Sequence, residues 1–243
     1  MCTVSFLPMR HGFILAMNRD EQKSRPHART PRRHQAGSRP SLYPSEPDGG
    51  TWIGINDTGL CLALINWYAK PQRDRSLCVS RGVIIPHLLA AGDLVDVGAL
   101  LGTLPLSRIN PFRLIAVSRA ERAIRQWRWD GTVMGMHRHG WKRTHWFSSG
   151  YDEILVNRKR ANVVRDAARS LATQTPAWLR KLHRSHQPAH GPLSICMDRD
   201  EAQTVSYTEI IATVRQARMR YAAGPPCSTK TGTPRLLLLA SEA

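Results

Sequence analysis

The sequence predicts an α+β fold built from antiparallel sheets, with helices packed against them. Short apolar segments that end at turn residues recur along the chain, as at 49–66 and 113–129, and this pattern is typical of β-hairpins. Two longer blocks, 79–101 and 151–182, carry apolar residues at helical spacing. Strands that follow one another in hairpins, with helical blocks between them, indicate antiparallel sheets with helices outside them.

The N-terminal part of the chain contains two hairpins and a long polar segment between them. Residues 4–7 and 12–17 are apolar, β-branched or aromatic segments around a turn. Residues 21–47 are polar and rich in Arg, Pro, Ser and His, without an apolar period, so we expect a long, mobile, basic surface loop there. Residues 49–66 place an Asn-Asp-Thr-Gly turn between two apolar strands, which is a strong hairpin pattern.

The rest of the chain mixes helices with further hairpins. In chain order we expect one or two helices over 79–101, a hairpin over 113–117 and 123–129, a strand over 144–149, a helical region over 151–182, a hairpin over 193–197 and 203–208, and a strand over 209–220. Residues 1–226 are predicted to form a single domain. Residues 227–243 are predicted to form a C-terminal tail that caps a sheet edge or stays loose.

Composition excludes several classes of protein. The formal charge of +17 is high, but the basic residues are scattered over several segments without a nucleic-acid-binding motif, so no specific nucleic-acid partner is expected. No apolar stretch approaches the roughly 20 residues of a transmembrane helix, and the start of the chain lacks the pattern of a secretory signal. We therefore expect a cytoplasmic protein with reduced cysteines, and no metal site, because no His/Cys spacing matches a zinc motif.

The second residue is the first candidate for chemistry. The chain opens Met1-Cys2-Thr3-Val4-Ser5, and the enzyme that removes an initiator Met tolerates only a small side chain after it, such as that of Cys. A mature N-terminal Cys carries a thiol nucleophile and a free amine whose ordinary pKa is about 8. Nucleophile and base together suffice for covalent acyl transfer. A chain can also begin Met-Cys by accident, and Cys2 alone does not decide between these interpretations.

The charged cluster Asn18-Arg19-Asp20-Glu21 is predicted to lie beside Cys2. It ends the second strand of the first hairpin, and antiparallel strands bring that end back to within about 5 Å of the start of the first strand. A cation there lowers the pKa of a thiol, and an acid can hold the amine and the Arg in place. The alternative is a turn held together by salt bridges.

Two further segments are candidates for substrate contacts. Asn66 follows an apolar strand, where its neutral amide suits the stabilisation of an oxyanion; the alternative is an Asn that only ends the strand in a turn. Gly49-Gly50-Thr51-Trp52 suits a tight backbone approach, or the glycines only terminate the preceding loop.

Taken together, these segments resemble the NRDE family, the family of the transport and Golgi organisation protein 2. The resemblance rests on the following segments in order: Met1-Cys2-Thr3-Val4, Asn18-Arg19-Asp20-Glu21, Gly49-Gly50-Thr51-Trp52-Ile53-Gly54, Leu64-Ile65-Asn66 and Ser194-Ile195-Cys196-Met197. That family is similar to the N-terminal-nucleophile hydrolases, especially the Cys-dependent bile-salt hydrolases and penicillin V acylases. The resemblance implies a four-layer αββα sandwich of two antiparallel sheets.

The resemblance also implies roles for individual residues. The expected catalytic residues are Cys2, Arg19, Asp20 and Asn66, and the expected substrate-binding residues are Asn18, Trp52 and Ser149. The implied activity is hydrolysis of an amide or related acyl bond of a small molecule, without metal or organic cofactor. The alternative is a binding or trafficking protein on the same scaffold that handles a lipid, acyl-CoA or haem and has lost catalysis. A third option is a basic protein associated with nucleic acid. The oligomeric state and the substrate stay open.

Overall fold

Two antiparallel sheets stacked face to face, with helices on both outer faces, form the protein. The computed structural model describes residues 2–169 and 175–240. Met1, whose removal is predicted, therefore lies outside the described residues. So do residues 170–174 of the predicted helical region. The α+β class expected from the hairpins and helical blocks is confirmed.

Thirteen strands make up the two sheets in the described ranges. They are β1 (Cys2–Met9), β2 (Gly12–Gln22), β3 (Arg29–Ala36), β4 (Arg39–Ser45), β5 (Ile53–Asn56), β6 (Leu60–Asn66), β7 (Phe112–Ser118), β8 (Ala123–Trp129), β9 (Met134–His139), β10 (Thr144–Ser148), β11 (Ala202–Ala212), β12 (Gln216–Ala222) and β13 (Arg235–Leu238). The first sheet has the order β10-β1-β2-β11-β12-β13, and the second has the order β3-β4-β5-β6-β7-β8-β9.

Four helices cover the outer faces of the sheets. They are α1 (Ile84–Leu88), α2 (Leu94–Gly102), α3 (Glu153–Ala167) and α4 (Pro176–His183). The Asp93 carboxylate accepts the backbone N–H groups of Val95 and Asp96 and so caps the start of α2. Asp152 and Thr175 cap α3 and α4 in the same way. The predicted helical blocks are thus each split into two shorter helices, and residues at the breaks serve as caps.

Three buried clusters correspond to the three interfaces between the four layers. The inward faces of the two sheets pack on each other through residues such as Phe6, Met17 and Ile65. The outer face of the second sheet packs against α1 and α2, and the outer face of the first sheet packs against α3 and α4. Because side chains alternate between the faces of a strand, β1 and β2 each send every second residue into a different interface.

Two glycines fix the hairpins as the sequence predicted. Gly12 opens β2 at φ +145, where a Cβ atom would lie 1.9 Å from the carbonyl oxygen of Ala212. Gly59 adopts φ +79 in the turn between β5 and β6, a left-handed conformation that glycine takes without strain. The side chain of Asn56 accepts the backbone N–H groups of Thr58 and Leu60 in the same turn.

The predicted long loop over 21–47 is wrong. β2 continues to Gln22, and residues 29–45 form a β3–β4 hairpin that pairs with β5 at the edge of the second sheet. Strand β3 is polar because most of its residues are exposed, so the apolar alternation that marks a strand is missing. Backbone pairing with β4, which requires no apolar side chain, holds it in the sheet.

Two predictions in the C-terminal part are also wrong. Residues 193–197 form no strand, and the expected partner segment belongs to the long strand β11. The predicted strand over 209–220 is split into the end of β11 and β12, which form a hairpin. Within the predicted tail, β13 pairs with β12 as the last strand of the first sheet. No helix among the described residues is long and apolar enough to cross a membrane.

Candidate active site

A cavity of about 510 Å³ opens where the N-terminal end of β1 meets the C-terminal end of β6. Cys2 and Arg19 line it from the first sheet, and Trp52 and Asn66 line it from the second. The segment 78–82 closes another side. The structure therefore brings together five of the seven predicted site residues around one cavity, because Asp20 also lines it.

Cys2 lies in a middle strand with a neighbour on each side. Its Cα pairs with that of Arg19 in β2 and with that of Ser148 in β10, so the expected return of the hairpin to Cys2 is confirmed. Cys2 is 8% exposed. Burial, together with the charge of Asp20, raises the pKa of its thiol above the ordinary value, although the positive amino terminus, the Asp20 backbone and Arg19 act to lower that pKa. The thiol is thus held close to cations in a largely dry position.

Arg19 is fixed by an aromatic ring and two carboxylates. Its guanidinium carbon lies 4.4 Å from the centre of the Trp52 ring, a cation–π contact. Its Nη2 atom pairs with Glu46 and lies 3.5 Å from Glu21 Oε2. Arg25 bridges the same two carboxylates at 2.6 Å and 2.9 Å. The two arginines and two glutamates form a closed set of ion pairs on the cavity wall, so Arg19 is held rigidly beside Cys2.

The carboxylate of Asp20 is held from the opposite, helix-covered face of the sheet. Its Oδ1 atom accepts the Thr204 hydroxyl at 2.6 Å. Its Oδ2 atom lies 3.5 Å from Nη2 of Arg160 in α3, and both side chains of this ion pair are fully buried. Arg160 also donates to the Thr3 hydroxyl at 2.8 Å. Asp20 is therefore anchored to α3 and β11 while its backbone lies next to the Cys2 thiol.

Asn66 faces the cavity, and its side-chain amide makes one hydrogen bond to a neighbouring residue. Its Nδ2 atom donates to the Tyr68 hydroxyl at 2.7 Å. An amide nitrogen carries two hydrogens, so a second donor remains for an oxyanion. Burial acts to raise the pKa of Tyr68, but the positive amino terminus, the Asn66 hydrogen bond and Arg81 outweigh it, and the pKa is lowered.

The two glycines before Trp52 allow the backbone there to lie close to the backbone of Gly82. A Cβ atom on Gly50 would lie 3.1 Å from the Cα of Gly82, and the N–H of Thr51 donates to the Gly82 carbonyl at 2.9 Å. The segment 78–82 is thereby held against the segment 50–52, which precedes β5, and both border the cavity. Of the two sequence interpretations, the arrangement agrees with the tight approach.

Two predicted substrate-binding residues do not line this cavity. Asn18 points to the helix-covered face, where its Nδ2 atom donates to the carbonyls of His183 and Ile195, and its Oδ1 atom is 2.9 Å from His183 Nδ1. Ser149 is buried next to β10, and its hydroxyl accepts the N–H of Tyr151. Asn18 and Ser149 therefore hold the scaffold around the site.

Three residues at the site, Arg160, Glu46 and Tyr68, were not predicted from the sequence. Arg160 resembles any solvent-facing arginine of an amphipathic helix, and only the three-dimensional packing reveals that it is fully buried. Glu46 lay in the segment interpreted as a loop. Tyr68 follows Asn66 by two residues, so its proximity to a predicted oxyanion donor was a signal that could have identified it.

The sequence profile of the family described as "Transport and Golgi organisation 2" matches residues 1–150. The chain belongs to this family. The membership expected from the motifs around Cys2 and Asn18–Glu21 is thereby confirmed. No curated protein matches the chain in sequence.

Solved structures with a similar fold include two kinds of enzyme. Penicillin V acylase from Agrobacterium tumefaciens is similar over 93% of this chain and 84% of its own, with 13% identity and a TM-score of 0.51. Two variants of conjugated bile acid hydrolase from Clostridium perfringens, each 11% identical, are similar over 99% and 98% of this chain and 97% of their own, with TM-scores of 0.52 and 0.50. Identities this low show the fold alone, and they confirm the predicted N-terminal-nucleophile hydrolase architecture.

Proposed function

We propose that this protein is a cytoplasmic hydrolase that uses Cys2 as an N-terminal nucleophile to cleave an amide or related acyl bond of a small molecule. The observation that carries the proposal is the position of Cys2 in the cavity, directly opposite Arg19 and with Asn66 on the facing wall. A nucleophile, a cation and an amide donor around one space are the parts that acyl transfer requires.

In the proposed reaction Met1 is first removed, which leaves the amine and the thiol on the same residue. The amine takes the thiol proton, directly or through water, and the thiolate attacks the substrate carbonyl carbon. Asn66 and a nearby backbone N–H stabilise the negative oxygen that forms. The carbon–nitrogen bond then breaks, and the ammonium group returns its proton to the leaving nitrogen. Water, deprotonated by the same amine, attacks the thioester and releases the acid and the thiol.

Arg19 and Asp20 act through position in this mechanism. Arg19 is held by Trp52 and Glu46, so its charge stays beside the thiol and favours the thiolate over the neutral form. Asp20 is tied to Arg160 and Thr204 and fixes the backbone next to Cys2. Both residues therefore order the nucleophile before the substrate arrives, which reduces the reorganisation needed in the transition state.

The cavity wall indicates a polar substrate with both signs of charge nearby. Acidic residues and arginines lie next to each other around the opening. The acidic residues are Glu21, Glu46 and Asp48, and the arginines are Arg25 and Arg81. The apolar contribution is confined mainly to Trp52, Leu64 and Val79. We propose a compact polar amide in preference to one with a long hydrocarbon chain.

The second candidate function is non-catalytic binding on the same scaffold, as in the lipid, acyl-CoA or haem handling implied by the family. One observation favours it: the Cys2 thiol is buried and its pKa is raised, which opposes formation of the thiolate. A binding protein would keep the cavity and the Arg19 ion pairs without needing an activated thiol. The two functions differ in whether Met1 is absent and Cys2 reacts.

The test is acylation of the native protein by a β-lactone, followed by intact and peptide mass measurement. We expect a mass that lacks Met1 and an acyl group on Cys2. Cys78 lines the same cavity but has no α-amine, so it is a matched internal control that should stay unlabelled. The variants Cys2→Ala and Cys78→Ala complete the comparison, and only Cys2→Ala should lose labelling.

Retention of Met1, or equal labelling of Cys2 and Cys78, would overturn the hydrolase proposal. If Cys2→Ala retained a cellular effect that Arg19→Ala lost, the result would favour the binding protein. Tight nucleic-acid binding at raised salt would instead support the third option, because nonspecific binding through charge weakens steeply with salt.

A further inference from the structure

A second group of reactive side chains lies apart from the cavity, where the segment 185–197 meets the turn after β12. His186, Cys196 and Cys227 each bring a possible ligand atom to one point, and the three atoms lie within 4.8 Å of one another. None of these residues lines the cavity that contains Cys2. Their sequence spacing matches no zinc motif, which is why the sequence predicted no metal site.

The backbone holds the three residues in place. The N–H of Cys196 donates to the Ser185 carbonyl at 2.8 Å, which closes the segment 185–196 into a loop and brings Cys196 next to His186. The turn that carries Cys227 is closed by hydrogen bonds from Ser228 and Thr229 to the Pro225 carbonyl. Backbone hydrogen bonds of this kind can bring side chains from distant parts of the chain together without a local sequence motif.

A backbone hydrogen bond orients the imidazole of His186. Its Nδ1 atom lies 3.0 Å from the backbone carbonyl of Cys196, and a carbonyl only accepts, so Nδ1 carries the proton. The lone pair is then on Nε2. Histidines that bind metals commonly donate their other N–H to a backbone carbonyl, which fixes the ring.

We propose that His186, Cys196 and Cys227 bind a thiophilic divalent cation, with Zn²⁺ as the expected ion. Two cysteines and one histidine form a recognised zinc ligand set whose fourth position is taken by water. Two thiolates balance the charge of the ion, so binding adds no net charge to a chain that already carries +17. Thiolate ligands favour zinc over magnesium or calcium, which prefer oxygen.

The cluster is connected to the cavity through a short path of contacts. Cys196 precedes Met197, whose N–H donates to the Thr204 hydroxyl at 2.9 Å. That hydroxyl donates to Asp20 at 2.6 Å, and the Asp20 backbone lies next to the Cys2 thiol. A metal that cross-links residues 186, 196 and 227 therefore restrains the segment that positions Asp20.

The experiment uses the full chain, reduced and freed of metal with a chelator, and titrated with Co²⁺. Cobalt bound by thiolates gives a charge-transfer absorption band in the near ultraviolet, and Zn²⁺ added afterwards should displace it. We expect about one ion per chain. In Cys227→Ser and His186→Ala we expect affinity reduced by about a hundredfold or more.

Matched controls separate this site from other ligands. His190→Ala removes the neighbouring ring, whose centre is 4.4 Å from that of His186, and Cys78→Ser removes a thiol elsewhere; both should keep wild-type affinity. Cys2→Ala should also keep it, because the site is independent of the proposed nucleophile. Far-ultraviolet circular dichroism of each metal-free variant checks that it is folded.

Several outcomes would overturn the proposal. One is a reduced wild-type protein that takes up no Co²⁺. Another is Co²⁺ uptake that persists in Cys227→Ser. A third is Co²⁺ uptake that is lost in Cys2→Ala. Failure of Cys2 labelling with intact metal uptake would reject the proposed hydrolase and leave the metal site standing, so the two proposals fail separately.

Discussion

The two faces of β2 hold polar side chains in different ways. Arg19 and Glu21 point to the cavity, where each charge has partners that also border open space. Asn18 and Asp20 point to the helices, and they are 0% and 1% exposed. The tetrapeptide that identified the family thus alternates between a face available for ligand and a face devoted to the scaffold.

The difference teaches that four adjacent polar residues need not form one site. Strand alternation separates them by about the thickness of a sheet, and burial then decides their energetics. A charge bordering solvent can be lost at little cost, whereas a buried one leaves an unpaired partner. The predictions below compare variants of the two faces, from the largest expected effect to the smallest.

Arg160→Met should be the most destabilising of these substitutions, because it leaves the buried Asp20 carboxylate without its ion-pair partner. We expect the free energy of unfolding, measured with urea, to fall by about 4 kcal/mol. The cavity-side control, Arg19→Met, should cost clearly less, because Glu21 and Glu46 both keep Arg25 as a partner. Adding Asp20→Asn to Arg160→Met should recover part of the loss; equal losses on the two faces would contradict the comparison.

Asn18→Ala should cost about 3 kcal/mol of unfolding free energy. It removes two donors to buried carbonyls and the partner of His183 Nδ1, and buried polar groups without partners are costly. Asn66→Ala, the same change on the cavity wall, should cost less than about 1 kcal/mol. Urea unfolding of both variants checks this, and a larger effect at Asn66 would reverse the assignment of scaffold and site.

The pH dependence of the free energy of unfolding should reflect His183, which is buried on the helix-covered face of the first sheet. Burial, assisted by His145 and Arg160, lowers the pKa of His183 from 6.5 to about 3. Below pH 6.5 the unfolded chain binds a proton at His183 that the folded protein does not, so the free energy of unfolding falls as pH drops towards 3. The slope is about 1.4 kcal/mol per pH unit for one histidine.

His183→Gln removes this contribution, so its stability should change less steeply than wild type between about pH 6 and about pH 4. The control is His87→Gln in α1, where the exposed histidine is bonded to the Thr103 hydroxyl. Urea unfolding at each pH provides the slopes. Identical slopes for wild type and His183→Gln would show that the buried histidine does not carry the dependence.

Glu46→Gln should have the smallest effect on stability, about 0.5 kcal/mol, because the ion pairs of the cavity wall border solvent. Its effect on the cavity should be larger, since Arg19 and Arg25 both lose a carboxylate. We expect faster β-lactone labelling of Cys2, because Arg19 is then less neutralised and favours the thiolate more strongly. Slower labelling would instead indicate that Glu46 is needed to position Arg19.

Much of the fold followed from the sequence because its strands obey local rules. The β1–β2 and β5–β6 hairpins have apolar strands and marked turns, and the return of β2 to Cys2 is a geometric consequence of the first hairpin. The β3–β4 hairpin was missed because β3 is rich in arginine and mostly exposed, and because β4 carries two prolines although most of its residues are buried. Edge strands need no apolar alternation, so periodicity does not detect them.

The site was predictable only in part, for a different reason. Cys2, Arg19 and Asn66 could be placed from strand ends, which are set by short-range pattern. Arg160 is fully buried against Asp20 although α3 is a polar helix. Its burial depends on how α3 lies on the first sheet, a long-range property that no local pattern encodes.

The high positive charge of the chain has a physical consequence at the edge strands of the second sheet. β3 and β9 are its two terminal strands, and unpaired backbone groups at such edges invite pairing with a strand of another molecule. β3 carries Arg29, Arg32 and Arg33, and β9 carries His137, Arg138 and His139. The arginines at both edges would bring like charges together if two copies approached edge to edge, which disfavours pairing between such strands.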